Sequence, residues 1–271
     1  MTARRGTTWA RRAGAPFRLI AAFAAGLRGA ARIETFRAQL PPAAAARAAA
    51  ARRREDARRG LAIIGATVEL RGSLPAEGPY LVVANHLGYV DVLALAALLP
   101  VRFVAKSEVA RWPVVGRLAR AWDTVFVERG RAAAAPAMVA AVAAGLRRGE
   151  SIAVFPEGTS TDGAEVLPFK SGVFATVEGN DPPASILPVR IEIAEVDGET
   201  PDAAARASVA WFGDDALVGH ILRFASRRSI GLRITIGEPI VAAGRPRKEL
   251  AAAAHAAVER LAAEHPRAIS G

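Results

Sequence analysis

Residues 80–98 run Tyr80-Leu81-Val82-Val83-Ala84, then Asn85-His86-Leu87-Gly88, then Tyr89-Val90-Asp91-Val92-Leu93-Ala94-Leu95-Ala96-Ala97-Leu98. The first block is apolar and too short for a helix, which predicts a strand near 79–84 buried on both faces. The last is rich in leucine and alanine, good helix formers, and predicts a helix near 90–99. Polar residues stand where the strand hands over to the helix. In an open α/β sheet, loops leaving the carboxyl ends of strands converge on one crevice, and ligand-facing residues belong there. His86 precedes Asp91 by four intervening residues. An imidazole titrates near neutrality and can take a proton from an alcohol, while a carboxylate fixes its tautomer and stabilises the imidazolium. The plainer reading of so short a gap is a loop hydrogen bond or a helix cap, and the pair alone does not choose between them.

A second polar cluster has the same local setting. Ser151-Ile152-Ala153-Val154-Phe155 reads as a strand and is followed by Pro156-Glu157-Gly158-Thr159-Ser160. Residues 122–131, WDTVFVERGR, end a short β-like run in Glu128 and Arg129. A fourth block, Ile186-Leu187-Pro188-Val189-Arg190-Ile191, puts proline inside a strand candidate, which favours an edge strand or a strand beginning.

The rest of the chain alternates short β-like and longer helical segments. Helices are predicted near 16–32 and 42–59, separated by Pro41-Pro42. Strands follow near 62–70, 101–105, 124–128, 151–155, 186–193, 206–212 and 231–237. Helices fall near 113–121, 133–148, 171–178, 215–226 and 247–264. The pattern implies an α/β fold: a mixed, largely buried β-sheet flanked by helices, preceded by an N-terminal basic amphipathic helical arm.

Composition excludes some chemistry. There is no cysteine, hence no disulfide and no thiolate nucleophile, and the four histidines form no cluster with zinc-ligand spacing. No metal or bound cofactor is expected. No Gly-x-Ser-x-Gly elbow is present, which argues against a serine esterase.

Charge divides the chain at about residue 60. Residues 1–60 hold 14 Arg against 3 Asp or Glu, a net of +11, slightly more than the +10 of the whole chain. Such an arm suits an anionic bilayer or a nucleic acid, or is a solvated arginine face. The run Leu19-Ile20-Ala21-Ala22-Phe23-Ala24-Ala25-Gly26-Leu27, flanked by Arg18 and Arg28, favours the bilayer. It is far short of the roughly 20 apolar residues a spanning helix needs. It suits a helix lying in the interface with arginines snorkelling to headgroups. Arg28, Arg32 and Arg37 follow too closely for a cleaved signal peptide. Residues 1–60 are therefore read as a basic helical membrane-associating arm. A peripheral or monotopic protein on the cytoplasmic face of the cell membrane is expected, with no nucleic-acid partner; a non-catalytic basic membrane- or nucleic-acid-binding protein is the competing class.

The four polar blocks, in this order and spacing, resemble the glycerolipid acyltransferase family over about residues 62–240. The family's NHxxxxD block stands here as NHLGYVD, its aromatic-acid-Arg block as VFVERGR, its FPEGT block as FPEGTS and its proline-valine block as ILPVRI. The resemblance implies an acyltransferase domain over 61–271. It implies transfer of a fatty acyl group from acyl-CoA or acyl-ACP, as co-substrate, to the free hydroxyl of a lysolipid such as 1-acyl-sn-glycerol-3-phosphate. His86 would be the base and Asp91 its partner, with Lys106 or backbone N–H groups near the His86 loop stabilising the oxyanion. Arg129, Glu157, Gly158 and Thr159 would bind the acceptor. Many phosphatidic-acid-forming members carry Arg after EGT, where this chain has Ser160. That departure brings in lysophospholipids with larger head groups, or lyso-ornithine lipid, as alternative acceptors, while Arg129, Lys170 and Lys106 still offer charge to a phosphate.

The same residues have plainer readings. Lys106 is equally a surface charge at a strand end, and Glu157 a cap on the following turn. Thr159 and Ser160 offer hydroxyls to a head group or satisfy loop amides. His220 lies on a helix candidate with no carboxylate at an obvious spacing, and reads as structural or solvated.

Overall fold

Pro41-Pro42 splits the N-terminal region as fixed φ and missing amide protons dictate. Helix α1 (Arg4–Gln39) ends before the pair and α2 (Pro42–Ile64) starts on it. This computed structural model describes residues 4–74, 78–128, 134–178 and 184–263. α2 runs five residues past the expected end because Gly65, at φ +78°, is the first position that supplies the left-handed C-cap. Strand β1 (Ala66–Arg71) therefore starts later than the sequence suggested.

The remaining elements follow in order: β2 (Tyr80–Ala84), α3 (Tyr89–Leu98), β3 (Val101–Lys106), α4 (Val115–Ala121), β4 (Val125–Val127), α5 (Ala134–Arg147) and β5 (Ser151–Val154). Then come β6 (Ser185–Val196), α6 (Ala203–Ala207), α7 (Leu217–Ala225), β7 (Ile230–Ile236), β8 (Ile240–Val241) and α8 (Arg247–Ala263). One sheet has the order β1-β7-β6-β2-β5-β3-β4, with β8 pairing β6. β6 runs parallel to β2 and antiparallel to β7. The sheet is mixed, as expected.

Both faces are covered. Along β2, Leu81 and Val83 join a core with Val142, Leu146, Phe174 and Leu250. Val82 and Ala84 join the opposite core with Ile33, Leu61 and Leu95. This two-sided burial is why β2 reads as a continuous apolar run. Ala30 and Ile33 of α1 and Ala49 and Ala57 of α2 belong to that second core, so the arginine-rich helices pack into the fold.

Three expectations change. β6, with Pro188 inside it, is a central strand. Backbone N and C=O of one strand residue point to the same side, and Pro188 accepts the Gly237 N–H where β7 has ended and β8 has not begun. Its missing N–H thus faces a gap in the ladder. Residues 206–212 form no strand: Asp202 accepts the Ala205 N–H and caps the short α6, and irregular chain follows. Residues 171–178, expected as an α-helix, give only a 3₁₀ segment, Ser171–Thr176.

Candidate active site

β2 and β5 are parallel neighbours, with Val83 opposite Val154, so the loops that follow leave the sheet side by side. Asn85 steers the first loop. Its side-chain amide donates to the Ile191 carbonyl at 2.9 Å and its oxygen accepts the Ile191 N–H at 2.8 Å, extending the β2–β6 ladder by one side chain. No local spacing marks Asn85 as the anchor of this loop, because its partner is 106 residues away.

His86 then turns onto the second loop. Its ring stacks on Phe155, centroids 4.1 Å apart and planes within 16°. Its backbone N–H donates to Glu157 Oε1 at 3.0 Å, and its carbonyl accepts the Thr161 N–H at 2.9 Å. Nδ1 lies 2.8 Å from Asp91 Oδ2. The same oxygen accepts the N–H groups of Leu87 at 2.7 Å and Gly88 at 3.0 Å. Asp91 is fully buried in the first turn of α3, where the helix dipole favours a negative charge. The loop-cap reading of this pair is realised by one carboxylate oxygen, and the same oxygen holds the His86 ring. With Nδ1 held by Asp91, Nε2 is the ring nitrogen turned away from the carboxylate.

Glu157 is 2% exposed. Burial pushes its carboxyl up to about 7, against the pull of the His86 and Leu167 N–H groups and the Arg190 charge, and Asp91 adds to the rise. Arg190, buried in β6, is the second residue the sequence reading missed. It stood inside the ILPVRI block, yet only the sheet order reveals that β6 runs under the Glu157 loop.

Gly158 adopts φ +77°, and a Cβ there would meet Lys170 Nζ at 2.5 Å, so the lysine lies across this glycine. Thr159 is exposed. Ser160 Oγ donates to the Trp211 carbonyl at 2.6 Å, and Trp211 N–H donates to the Leu87 carbonyl at 2.8 Å. The segment around Trp211 thus ties the two loops together. A Cβ on Gly88, at φ +146°, would strike Trp211 at 3.1 Å. Tyr89 packs beside Trp211, ring centroids 6.3 Å apart, with its hydroxyl 3.0 Å from Nδ1 of His220. His220 is fully buried, and burial holds its imidazole below the usual range. Its partner is a phenol rather than a carboxylate.

The structure brings together His86, Asp91, Glu157, Gly158 and Ser160. Lys106 is exposed at the end of β3, two strands from β2 and about 10 Å away in sheet spacing. The expected oxyanion donors in the His86 loop are engaged: the N–H groups of His86, Leu87 and Gly88 all serve carboxylates. Arg129 lies outside the described residues.

A buried carboxylate, the imidazole it holds and the Glu157 loop thus lie side by side at the carboxyl edge of a mixed α/β sheet, and comparison with known proteins gives the class. The acyltransferase family matches residues 66–192. The chain is 38% identical over 202 residues to a lyso-ornithine lipid O-acyltransferase of Rhodobacter capsulatus, covering 73% of this chain and 71% of the relative. It is 34% identical over 245 residues to one of Pseudomonas aeruginosa, covering 90% of each. The fold matches the crystal structure of the 1-acyl-sn-glycerophosphate (LPA) acyltransferase, PlsC, from Thermotoga maritima, with TM-score 0.60, 21% identity, and coverage of 92% of this chain and 100% of that one. The chain belongs to the glycerolipid acyltransferase family and is an acyltransferase.

Proposed function

We propose that the enzyme transfers a fatty acyl group from acyl-CoA or acyl-ACP to the free hydroxyl of a lyso-ornithine lipid, with His86 as general base. The observation that carries this reading is the 2.8 Å contact of His86 Nδ1 with buried Asp91. The acceptor hydroxyl gives its proton to Nε2 as its oxygen bonds to the thioester carbonyl carbon. The tetrahedral intermediate then expels the thiolate, which takes the proton back from the imidazolium, and Asp91 offsets the ring's charge in between. No enzyme nucleophile is required. Lys106 is the proposed oxyanion donor, since the nearby loop N–H groups are engaged. Glu157 and Arg129 are proposed to hold the acceptor, with Gly158 and Thr159 lining its path.

Two observations favour lyso-ornithine lipid. The relatives at 38% and 34% identity carry that name. Ser160 spends its hydroxyl on Trp211, and nothing at that position supplies the guanidinium fork that suits a phosphomonoester. A second reading, 1-acyl-sn-glycerol-3-phosphate as acceptor, is favoured by the exposed Lys170 beside Gly158. Membrane association on the cytoplasmic side is part of the proposal. It is supported by the basic arm, and no helix among the described residues is long and apolar enough to cross a membrane.

Incubating the purified enzyme with a panel of lysolipids and one labelled acyl thioester tests the acceptor. Lyso-ornithine lipid is expected to be used selectively; preference for lysophosphatidate would overturn that choice. His86→Ala is expected to lose transfer and keep its fold, and parental turnover by that variant would remove the base.

A further inference from the structure

A surface helix in a water-soluble protein turns charged and polar residues outward. α7 does not. Its inner residues His220, Phe224 and Ala225 are buried. Its outer ones include Val218, 73% exposed, and Leu222, 44% exposed, one helical turn apart. α1 runs beside it, and the Arg18 guanidinium donates to the carbonyls of Ala225 and Arg227. On that stretch of α1, Phe17 is 74% and Ile20 65% exposed. Four of the seven exposed large apolar side chains among the described residues therefore lie on two neighbouring helices. The remaining three, Leu40, Leu74 and Val241, lie on separate segments.

Around this face basic residues predominate on α1, while Asp214, exposed, and Asp215 precede α7. α1 carries eight arginines and one glutamate, and Arg28 and Arg32 are exposed. Asp215, close to α7, is already paired with Arg223. The apolar run that the sequence alone pointed to, residues 19–27, is largely turned inward: Ala25 is buried, Phe23 and Leu27 are half-buried, and Gly26 packs against Leu118.

We propose that α7 and residues 17–20 of α1 form one composite face that docks on an anionic phospholipid bilayer. Phe17, Ile20, Val218 and Leu222 enter the acyl boundary, and Arg28 and Arg32 of α1 meet the phosphates. This rests on the reading that the acceptor is a membrane lipid. The face borders the site, because the chain entering α7 passes through Trp211, which is bonded to Leu87 and Ser160. Docking there brings a lysolipid leaving the bilayer to the His86 loop.

Co-sedimentation of the full chain with phosphatidylglycerol–phosphatidylcholine vesicles tests the face, with pure phosphatidylcholine as the neutral control. Val218→Asp with Leu222→Asp, and separately Phe17→Asp with Ile20→Asp, are expected to weaken partition to the anionic vesicles at least about tenfold. Turnover on detergent-dispersed lysolipid and the thermal melt are expected to persist. Should the α7 aspartates unfold the protein, Val218→Ser with Leu222→Ser reads the same face more gently. Partition retained by a folded variant carrying all four changes overturns the proposal. A parental enzyme that binds vesicles but does not use lyso-ornithine lipid refutes the acceptor assignment and leaves the docking face standing.

Discussion

Asp91 Oδ2 accepts from three donors at once, the His86 ring and the N–H groups of Leu87 and Gly88. Loop shape and ring orientation therefore depend on one atom, and two substitutions separate them. Asp91→Asn keeps an oxygen for the loop amides but loses the charge proposed to offset the imidazolium. Its kcat is expected to fall by roughly 10²–10⁴ with little change in melting temperature. Asp91→Ala leaves two buried N–H groups unpaired, at about 1–3 kcal/mol each, and is expected to lose stability as well as activity. A calorimetric scan beside the kinetics distinguishes them, and equal melting of both variants would contradict this division of labour. Glu157 makes a pH prediction. Burial raises its folded pKa from 4.5 to about 7, so between those values the folded state holds a proton that the unfolded state has released. Stability from this group is present below about 4.5 and falls as pH rises through about 7. Glu157→Gln is expected to flatten that part of the stability curve, and chemical denaturation at several pH values between 4 and 8 measures it. An unchanged slope would mean that the carboxyl is ionised throughout.

At the scale of elements, legibility followed sequence locality. β2, β5 and the loops after them could be read because each packs an apolar run and its polar exit into about ten residues. The meeting of His86 with Glu157 followed from the rule for strand ends. Arg190 and Asn85 could not be read as partners of those loops, because their roles depend on β6 lying beside β2, a non-local pairing that no spacing encodes. Pro188 misled for the same reason, since its tolerance comes from the gap between β7 and β8. Residues 206–212 failed differently: valine and aromatic residues suggested a strand, but the Asp202 cap and the tie from Trp211 to Leu87 hold that stretch in other conformations. The α1–α2 crossing was equally hidden. A Cβ on Gly29 would fall 1.8 Å from Asp56 Oδ2, and Asp56 is buried and paired with Arg52 at 2.8 Å. Gly29→Ala must push that carboxylate aside, with an expected loss of about 1–3 kcal/mol from overpacking, partly offset by alanine's better helix propensity. Urea denaturation measures the loss. A neutral or stabilising result would show that the two helices can part without cost.

At the scale of the whole molecule, charge suggested a boundary near residue 60 that packing does not respect. Ala30 and Ile33 are fully inaccessible within the core under the sheet. Arg37 binds Asp123 at 2.6 Å and the Ala121 carbonyl at 2.8 Å, and Arg53 approaches the same aspartate at 3.4 Å. Removing residues 1–40 therefore takes away part of the fold along with basic charge. Burial of an isoleucine-sized side chain is worth about 1.5–3 kcal/mol, and several smaller contacts go with Ile33. A total loss near 5 kcal/mol is expected, equivalent to about 10–20 °C in melting temperature for a domain of this size. Differential scanning calorimetry of the truncated chain checks this directly. Vesicle binding by that truncation would be uninformative, because uncovered core binds lipid nonspecifically and lost arginines weaken binding in the opposite direction. Surface changes at Phe17, Ile20, Val218 and Leu222 avoid this conflict, since they alter what faces the bilayer and leave Ile33 in place. A truncated protein that melted at the parental temperature would instead establish residues 1–40 as a separable arm, making the contacts of Ile33 and Arg37 dispensable to the sheet.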